Sequence, residues 1–244
     1  YSSAASDVYK RQDKCALLHG DAELFCWLEG DDALEPDVFK GVQEYITINN
    51  VDVNEAVGIF CDYSSVNPMG EKFTHPNKKI LSGKAPLSLF VRGLVSWRAS
   101  FFSQKVINQF EPTILDRGLA LAELLFDSQW FRNVKKIYYC PIKGSIYYTE
   151  IGVSTQLGYQ SSFKKEQALT KWTYFLENGF AIDKMDEYWF KFKVLQTKGL
   201  IEPTFGVLLK AIFFYFIGMY GYGFLHYSKF KSNFVPIVRC LIKK

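Results

Sequence analysis

The chain has 244 residues, 48% of them hydrophobic, 17% aromatic and 22% charged, and its 29 basic and 25 acidic side chains give a formal net charge of +4. This apolar content excludes a disordered polymer, a collagen and a low-complexity chain, and the length allows one sizeable core or two small domains. The charge is uneven: residues 203–244 hold six Lys or Arg and no Asp or Glu, which leaves 23 basic against 25 acidic groups in residues 1–202.

Residues 1–12 (Tyr-Ser-Ser-Ala-Ala-Ser-Asp-Val-Tyr-Lys-Arg-Gln) have no periodicity and no apolar core of a secretory signal. They resemble a leader that recurs at the start of unrelated translated sequences, so a non-native segment is expected there, followed by an N-terminally truncated protein. The apolar run Leu24 to Leu28 stops at Glu29-Gly30-Asp31-Asp32. Its composition predicts a strand buried on both faces, as in a parallel sheet. Pro36 then opens a helix to Ile48, with Val38, Phe39, Val42, Tyr45 and Ile46 at helical spacing. Val57 to Tyr63 reads as a second buried strand, followed by turn chemistry at Asn67-Pro68-Met69-Gly70. Strand, helix and strand in about forty residues form the βαβ pattern of an α/β fold.

Leu115 to Phe131, rich in Leu and Ala, reads as a helix, and Lys136 to Cys140 and Ser145 to Thr149 as two short strands broken by Pro141 and Gly144. Two amphipathic helices are predicted next, one from Ser162 to Asn178 stopped by Gly179, the other from Asp183 to Lys198 stopped by Gly199. Five scattered cysteines (Cys15, Cys26, Cys61, Cys140, Cys240) without a CxxC spacing argue against a disulfide framework or a zinc site. The histidines His19, His75 and His226 lack ligand spacing and read as surface or loop residues.

Glu29, Asp31 and Asp32 follow a strand directly, at the carboxyl edge where α/β sheets place ligands. Three carboxylates within four residues repel one another unless a cation or a solvated loop relieves them, and hard oxygen ligands favour Mg²⁺ or Mn²⁺. The alternatives at this point are a metal site and a polar turn.

The run Ala22-Glu23-Leu24-Phe25-Cys26-Trp27-Leu28-Glu29-Gly30-Asp31-Asp32-Ala33-Leu34-Glu35-Pro36 resembles the signature Gly-Glu-Tyr-Ile-x-Phe-Leu-Asp-x-Asp-Asp-x-x-x-Pro of the inverting nucleotide-sugar glycosyltransferases of family 2. Strand, acids and proline share one register, with Glu29 where the family has Asp. More loosely, Asp62 to Glu71 is similar to the family's strand ending in Asp and its Asp-x-x-Gly turn. Val106 to Pro112 is similar to its Gly-x-Phe-Asp-Glu element, Asp116 to Glu123 to the acid that opens a Leu-rich helix, and Tyr138 to Ser154 to its closing strands. The usual Tyr-Arg of those strands is Tyr148-Thr149 here.

The resemblance spans residues 16–158 and implies a Rossmann-like GT-A sheet, incomplete because the nucleotide-recognition half precedes the acidic motif in the family. It implies a divalent ion, Mg²⁺ or Mn²⁺, on Asp31 and Glu29, donor contacts by Glu29, Asp31 and Asp32, and Asp116 as general base with Glu123 in reserve. A nucleotide-sugar donor and a glycan or lipid-linked acceptor follow, in envelope polysaccharide or glycoconjugate synthesis, with this fragment weak or inactive by itself. A non-catalytic, membrane-associated module of the same fold is the other reading.

The expected organisation is a leader (1–12), a partial transferase domain (13–158), a helical extension (159–202) and a basic aromatic tail (203–244). Ala211 to Leu225 is uncharged, and its fifteen residues fall short of the roughly 20 needed to cross a bilayer. An interfacial helix is expected, with Lys229, Lys231, Arg239, Lys243 and Lys244 near anionic headgroups at the cytoplasmic face, or else a helix packed on its own domain. Aromatics cluster instead of alternating with basic residues, so no nucleic-acid partner is expected.

Overall fold

The computed structural model describes residues 22–26, 28, 32–96, 98–109, 128–149, 162–222 and 227–242. The chain divides into two compact units, Tyr1–Leu157 and Gly158–Lys244.

The first unit is α/β, a mixed sheet flanked by helices. Its strands are β1 (Leu24–Cys26), β2 (Ala33–Leu34), β3 (Val57–Val66), β4 (Lys72–His75), β5 (Ser100–Ser103) and β6 (Lys136–Tyr148). The order is β1-β5-β3-β6-β2, with β4 paired to β3. Strand β5 runs antiparallel to both β1 and β3, while β3 and β6 are parallel. Strands β1, β3 and β6 therefore point the same way, with β5 wedged between the first two.

Helix α1 (Val38–Ile48) crosses from β2 to β3 and lays Val38 and Val42 on Val57, Ile59, Cys61, Phe101 and Cys140. The i, i+4 spacing of those valines is what the sequence shows. The other face of β3 carries Phe60, whose ring meets Phe102 at 5.9 Å and Phe131 at 5.6 Å. Phe131 belongs to a helical stretch over residues 128–133 and stacks at 4.4 Å on Phe90 of α2 (Pro86–Val91). A short helix, α3 (Gln104–Ile107), follows β5 and buries Val106 and Ile107.

Three expectations need correction here. The apolar run at Leu24 forms a short, half-buried strand that, among the described residues, pairs with β5 alone, and that pairing is antiparallel. A five-residue apolar run does not distinguish an edge strand from a doubly buried one. The second strand continues past Tyr63 to Val66, because its end pairs with β4 around the turn at Asn67-Pro68-Met69-Gly70. Gly70 takes a positive φ of 81° there, and Asn67 Oδ1 accepts from the backbone N–H of Met69 (3.0 Å) and Glu71 (2.9 Å). Lastly, Lys136 to Tyr148 is one strand, not two. Its partner register jumps from Cys61↔Cys140 to Asp62↔Lys143 and Tyr63↔Ser145, so a bulge absorbs Pro141 and Gly144 without ending the pairing.

Asn77 staples this irregularity. Its backbone N–H donates to Asp62 Oδ1 (2.9 Å), its side-chain amide donates to the carbonyls of Cys61 (2.8 Å) and Ser96 (3.2 Å), and its Oδ1 accepts from Ser96 N (2.9 Å). The Tyr139 hydroxyl donates to both oxygens of the Asp62 carboxylate at 2.9 and 3.0 Å. Burial first, and that bond second, push the Tyr139 phenol up to about 12. Cys61 and Cys140 face each other in the core, where their mutual hydrogen bond and burial raise the Cys61 thiol. Burial alone pushes Cys26 up to about 12. The same hydrogen bond to Cys61 lowers the Cys140 thiol, and all three cysteines serve as packing residues.

The second unit is helical: α4 (Ser162–Glu177), α5 (Lys184–Ile201), α6 (Phe205–Gly218) and α7 (Tyr227–Ile242). Its core is aromatic, with Trp172, Phe175, Phe180, Trp189, Phe190, Phe192, Tyr215 and Phe234 all buried. Asp183 caps α5 by accepting from Asp186 N at 2.9 Å, and Gly179 takes the left-handed conformation after α4. Gly199 is not a stop, however. It lies inside α5, where an added Cβ would come within 3.0 Å of Ile237 on α7, so its smallness serves helix packing. Among the described residues no helix is long and apolar enough to cross a membrane.

Replacing Asn77, 1% exposed, with alanine removes a side-chain partner from three backbone groups, the carbonyls of Cys61 and Ser96 and the Ser96 N–H. A loss of about 2–4 kcal/mol is expected, read from denaturant melts as a lower midpoint for the sheet unit.

Candidate functional site

The carboxyl edge of the sheet assembles the polar side chains. Strand β1 ends at Cys26, level with Phe101 of β5, and Phe101 is in turn level with Ile59 of β3 and Tyr138 of β6. Two residues beyond that level, β3 reaches its irregularity at Cys61 and Asp62. Residues 27–32 connect β1 and β2, which stand at opposite ends of the strand order. Because β5 runs antiparallel, Arg98 and Ala99, which lead into it, lie at this same edge.

Asp32 and Arg98 consequently meet across 66 positions of sequence. Arg98 Nε donates to Asp32 Oδ2 at 3.2 Å, and the Asp32 side chain is 1% exposed against 21% for Arg98. The guanidinium carbon sits 4.1 Å from the centroid of the Tyr147 ring. The registers Tyr63↔Ser145 and Ser65↔Tyr147 put Tyr63, Ser65 and Tyr147 on one face of the sheet. His75 of β4 stacks on Tyr63 at 4.7 Å, and its Nε2 is 2.7 Å from Ser65 Oγ in a hydrogen bond whose direction follows the imidazole tautomer. Burial pushes the Tyr63 phenol up, Arg98 pulls it down, and Tyr147 adds a further rise. Beside this group, Lys72 Nζ donates to Glu35 Oε1 at 2.6 Å, tying the β3–β4 hairpin to the segment before α1.

Backbone close approach fixes the edge. Ala99 holds a positive φ of 60°, and its carbonyl accepts from Cys61 N at 3.1 Å. A Cβ on Gly144 would fall 2.3 Å from the Ala99 Cβ and 3.3 Å from its Cα, so only glycine fits there. The Gly144 carbonyl accepts from Glu35 N at 3.0 Å, which anchors the chain just past the acidic run.

Of the predicted site residues, Asp32 lies at this edge, while Glu29, Asp31, Asp116 and Glu123 lie outside the described residues. Among the described residues, no three His, Cys, Asp or Glu side chains are placed to hold a metal ion. Sequence reasoning missed Arg98, Tyr63, Ser65, His75 and Tyr147. His75 in particular is a paired strand residue and not a loop residue. A usable signal was present: continuing the hairpin outward from the Asn67–Gly70 turn pairs Tyr63 with His75. Arg98 carried no such signal, since nothing local in Ser96-Trp97-Arg98-Ala99 marks it as a partner of Asp32.

The arrangement is an aromatic surface bearing one guanidinium and one imidazole beside a buried carboxylate. That chemistry suits a planar or anionic group. Comparisons with protein-family profiles, with curated protein sequences and with solved structures give no match.

Removing one member of a buried ion pair costs more than replacing both. Arg98→Ala is expected to cost about 2–4 kcal/mol by taking the guanidinium from the buried Asp32 carboxylate, and Arg98→Met with Asp32→Leu about half that or less. Equal losses in thermal or denaturant melts would show that the pair does not hold this edge.

Proposed function

We propose that the chain is part of a glycosyltransferase that moves a sugar from a nucleotide-sugar donor to a glycan or lipid-linked acceptor at the cytoplasmic face of a membrane. The observation that carries this reading is the register of Glu23 to Pro36. The acidic run follows a sheet strand, a second short strand and a proline-led helix follow the run, and all of this resembles the family 2 pattern. The mixed α/β sheet supports it too, as does the polar edge gathered where the acidic run leaves β1.

In this reading the sheet is the latter portion of a GT-A fold. Asp32 is committed to Arg98, so Glu29 and Asp31 would hold Mg²⁺ or Mn²⁺, and their hard oxygens fit such an ion. A divalent ion there would supply Lewis-acid neutralisation of a diphosphate leaving group. Arg98, fixed by Tyr147 and Asp32, keeps a permanent positive charge at the same edge. Asp116 would take the proton of the acceptor hydroxyl on the opposite side of the sugar.

A non-catalytic, membrane-associated module of the same fold is the second reading, favoured by the engagement of Asp32 with a guanidinium. Turnover separates the two. In a protein that carries a nucleotide-recognition half ahead of residue 13, a nucleoside diphosphate should bind more tightly with Mn²⁺ than with a chelator. Asp116→Asn should lower sugar transfer by about 10²–10⁴-fold while leaving donor binding in place. Metal-dependent binding without any transfer would favour the module, and an Asp116→Asn protein as fast as its parent would remove that residue from the chemistry.

A further inference from the structure

Helix α6 exposes a continuous line of large apolar side chains: Phe205 (67% exposed), Leu209 (51%), Phe213 (59%), Phe216 (42%) and Tyr220 (70%), the last just beyond its end. Their spacings of four, four, three and four residues place them on one stripe of the helix. The opposite side buries Leu208, Ala211, Tyr215 and Gly218. That side cannot turn away from α5, because a Cβ on Gly218 would lie 2.7 Å from the backbone nitrogen of Trp189. Tyr215 is also locked by ring contacts to Phe192 (5.1 Å) and Phe234 (5.2 Å). Thr204 Oγ1, accepting from Val207 N at 3.2 Å, fixes where the helix begins. The exposed stripe is thus a consequence of how α6 packs, and five neighbouring exposed apolar residues mark a docking face, not scattered surface residues.

We infer that this stripe is the face by which the second unit lies on an anionic lipid surface. The inference deepens the membrane part of the reading above and does not depend on sugar transfer. Charge chooses the occupant. The stripe sits in a segment, residues 203–244, with six basic and no acidic side chains, of which Lys210, Lys231 and Arg239 are exposed on α6 and α7. A second copy on the same stripe would bring two such segments together, like charge facing like charge. Anionic headgroups are instead complementary, and an apolar, aromatic stripe flanked by basic residues is the pattern of a helix lying in the interface. Lys210 follows Leu209 directly, about a quarter-turn around the helix, so its long side chain can reach headgroups while Leu209 enters the acyl boundary.

The test is flotation of the whole chain with vesicles of phosphatidylcholine alone or mixed with phosphatidylserine. The chain should float with the mixed vesicles, less so as salt rises, and the double variant Phe205→Ser, Phe213→Ser should bind at least about tenfold more weakly. Its helical circular dichroism should match the parent, since both side chains are exposed. Lys210→Glu should lower the preference for phosphatidylserine. A double variant that floats like its parent would overturn the assignment of the face while leaving membrane binding intact. A parent that ignores mixed vesicles would overturn both. A dimer in light scattering that Phe213→Ser disperses would make a second copy the occupant and overturn the lipid assignment.

Discussion

The sheet unit depends on the pairing of β3 with β6 and on the irregularity that interrupts it at Cys61 and Asp62. An unbroken parallel ladder would carry the two strands straight past the edge. The bulge instead shifts β6 by the residues around Pro141 and Gly144, while on the β5 side of β3 the Cys61 carbonyl accepts from Asn77 and the Cys61 N–H donates to the Ala99 carbonyl. Ala99 in a left-handed conformation costs on the order of 1 kcal/mol, and it persists because its carbonyl partners Cys61 and Gly144 leaves room beside it. Alanine there and glycine opposite are a matched pair.

The polar edge lies just past that shift. Past the bulge, Tyr63, Ser65 and Tyr147 share a face, β4 supplies His75 to it, and β2 joins β6 at Ile146 and Ser145. Because β2 begins right after Asp32, its pairing fixes where that carboxylate stands. Because β5, like β2, runs antiparallel to β3 and β6, Arg98 leads into its strand at the same edge. The ion pair is therefore a product of topology: β2 and β5, both antiparallel to β3 and β6, begin at one edge and bring the residues just ahead of them together there, and a tyrosine from β6 holds the guanidinium.

Periodicity made the helices legible. Val38 and Val42 on α1, and the Gly179 stop after α4, can be read from the sequence because a helix repeats a local rule. The strands were legible as apolar runs, but not in their lengths or partners. Pro141 and Gly144 read as breaks because a break and a bulge use the same residues, and only the partner strand decides between them. Gly199 misled for a similar reason, since glycine ends helices and also lets helices touch. Asp32 was visible as a member of an acidic run, whereas its partner Arg98 is distant in sequence, and no local pattern joins residues brought together by β5 and β2. The apolar content of Ala211 to Leu225 was evident, yet which side of α6 stays exposed depends on the contact between Gly218 and Trp189.

In the proposed function, a divalent ion and a nucleoside diphosphate meet the chain at the edge formed by Asp32, Arg98 and Tyr147. Paramagnetic broadening by Mn²⁺, followed in amide nitrogen–proton spectra of a protein that carries a nucleotide-recognition half ahead of residue 13, with a nucleoside diphosphate present, tests this most directly. The amides of Leu28, Asp32, Ala33 and Arg98 are expected to broaden first, with a chelator restoring the signals. Broadening centred elsewhere, or none at concentrations of Mn²⁺ and nucleotide that would saturate a specific site, would contradict it.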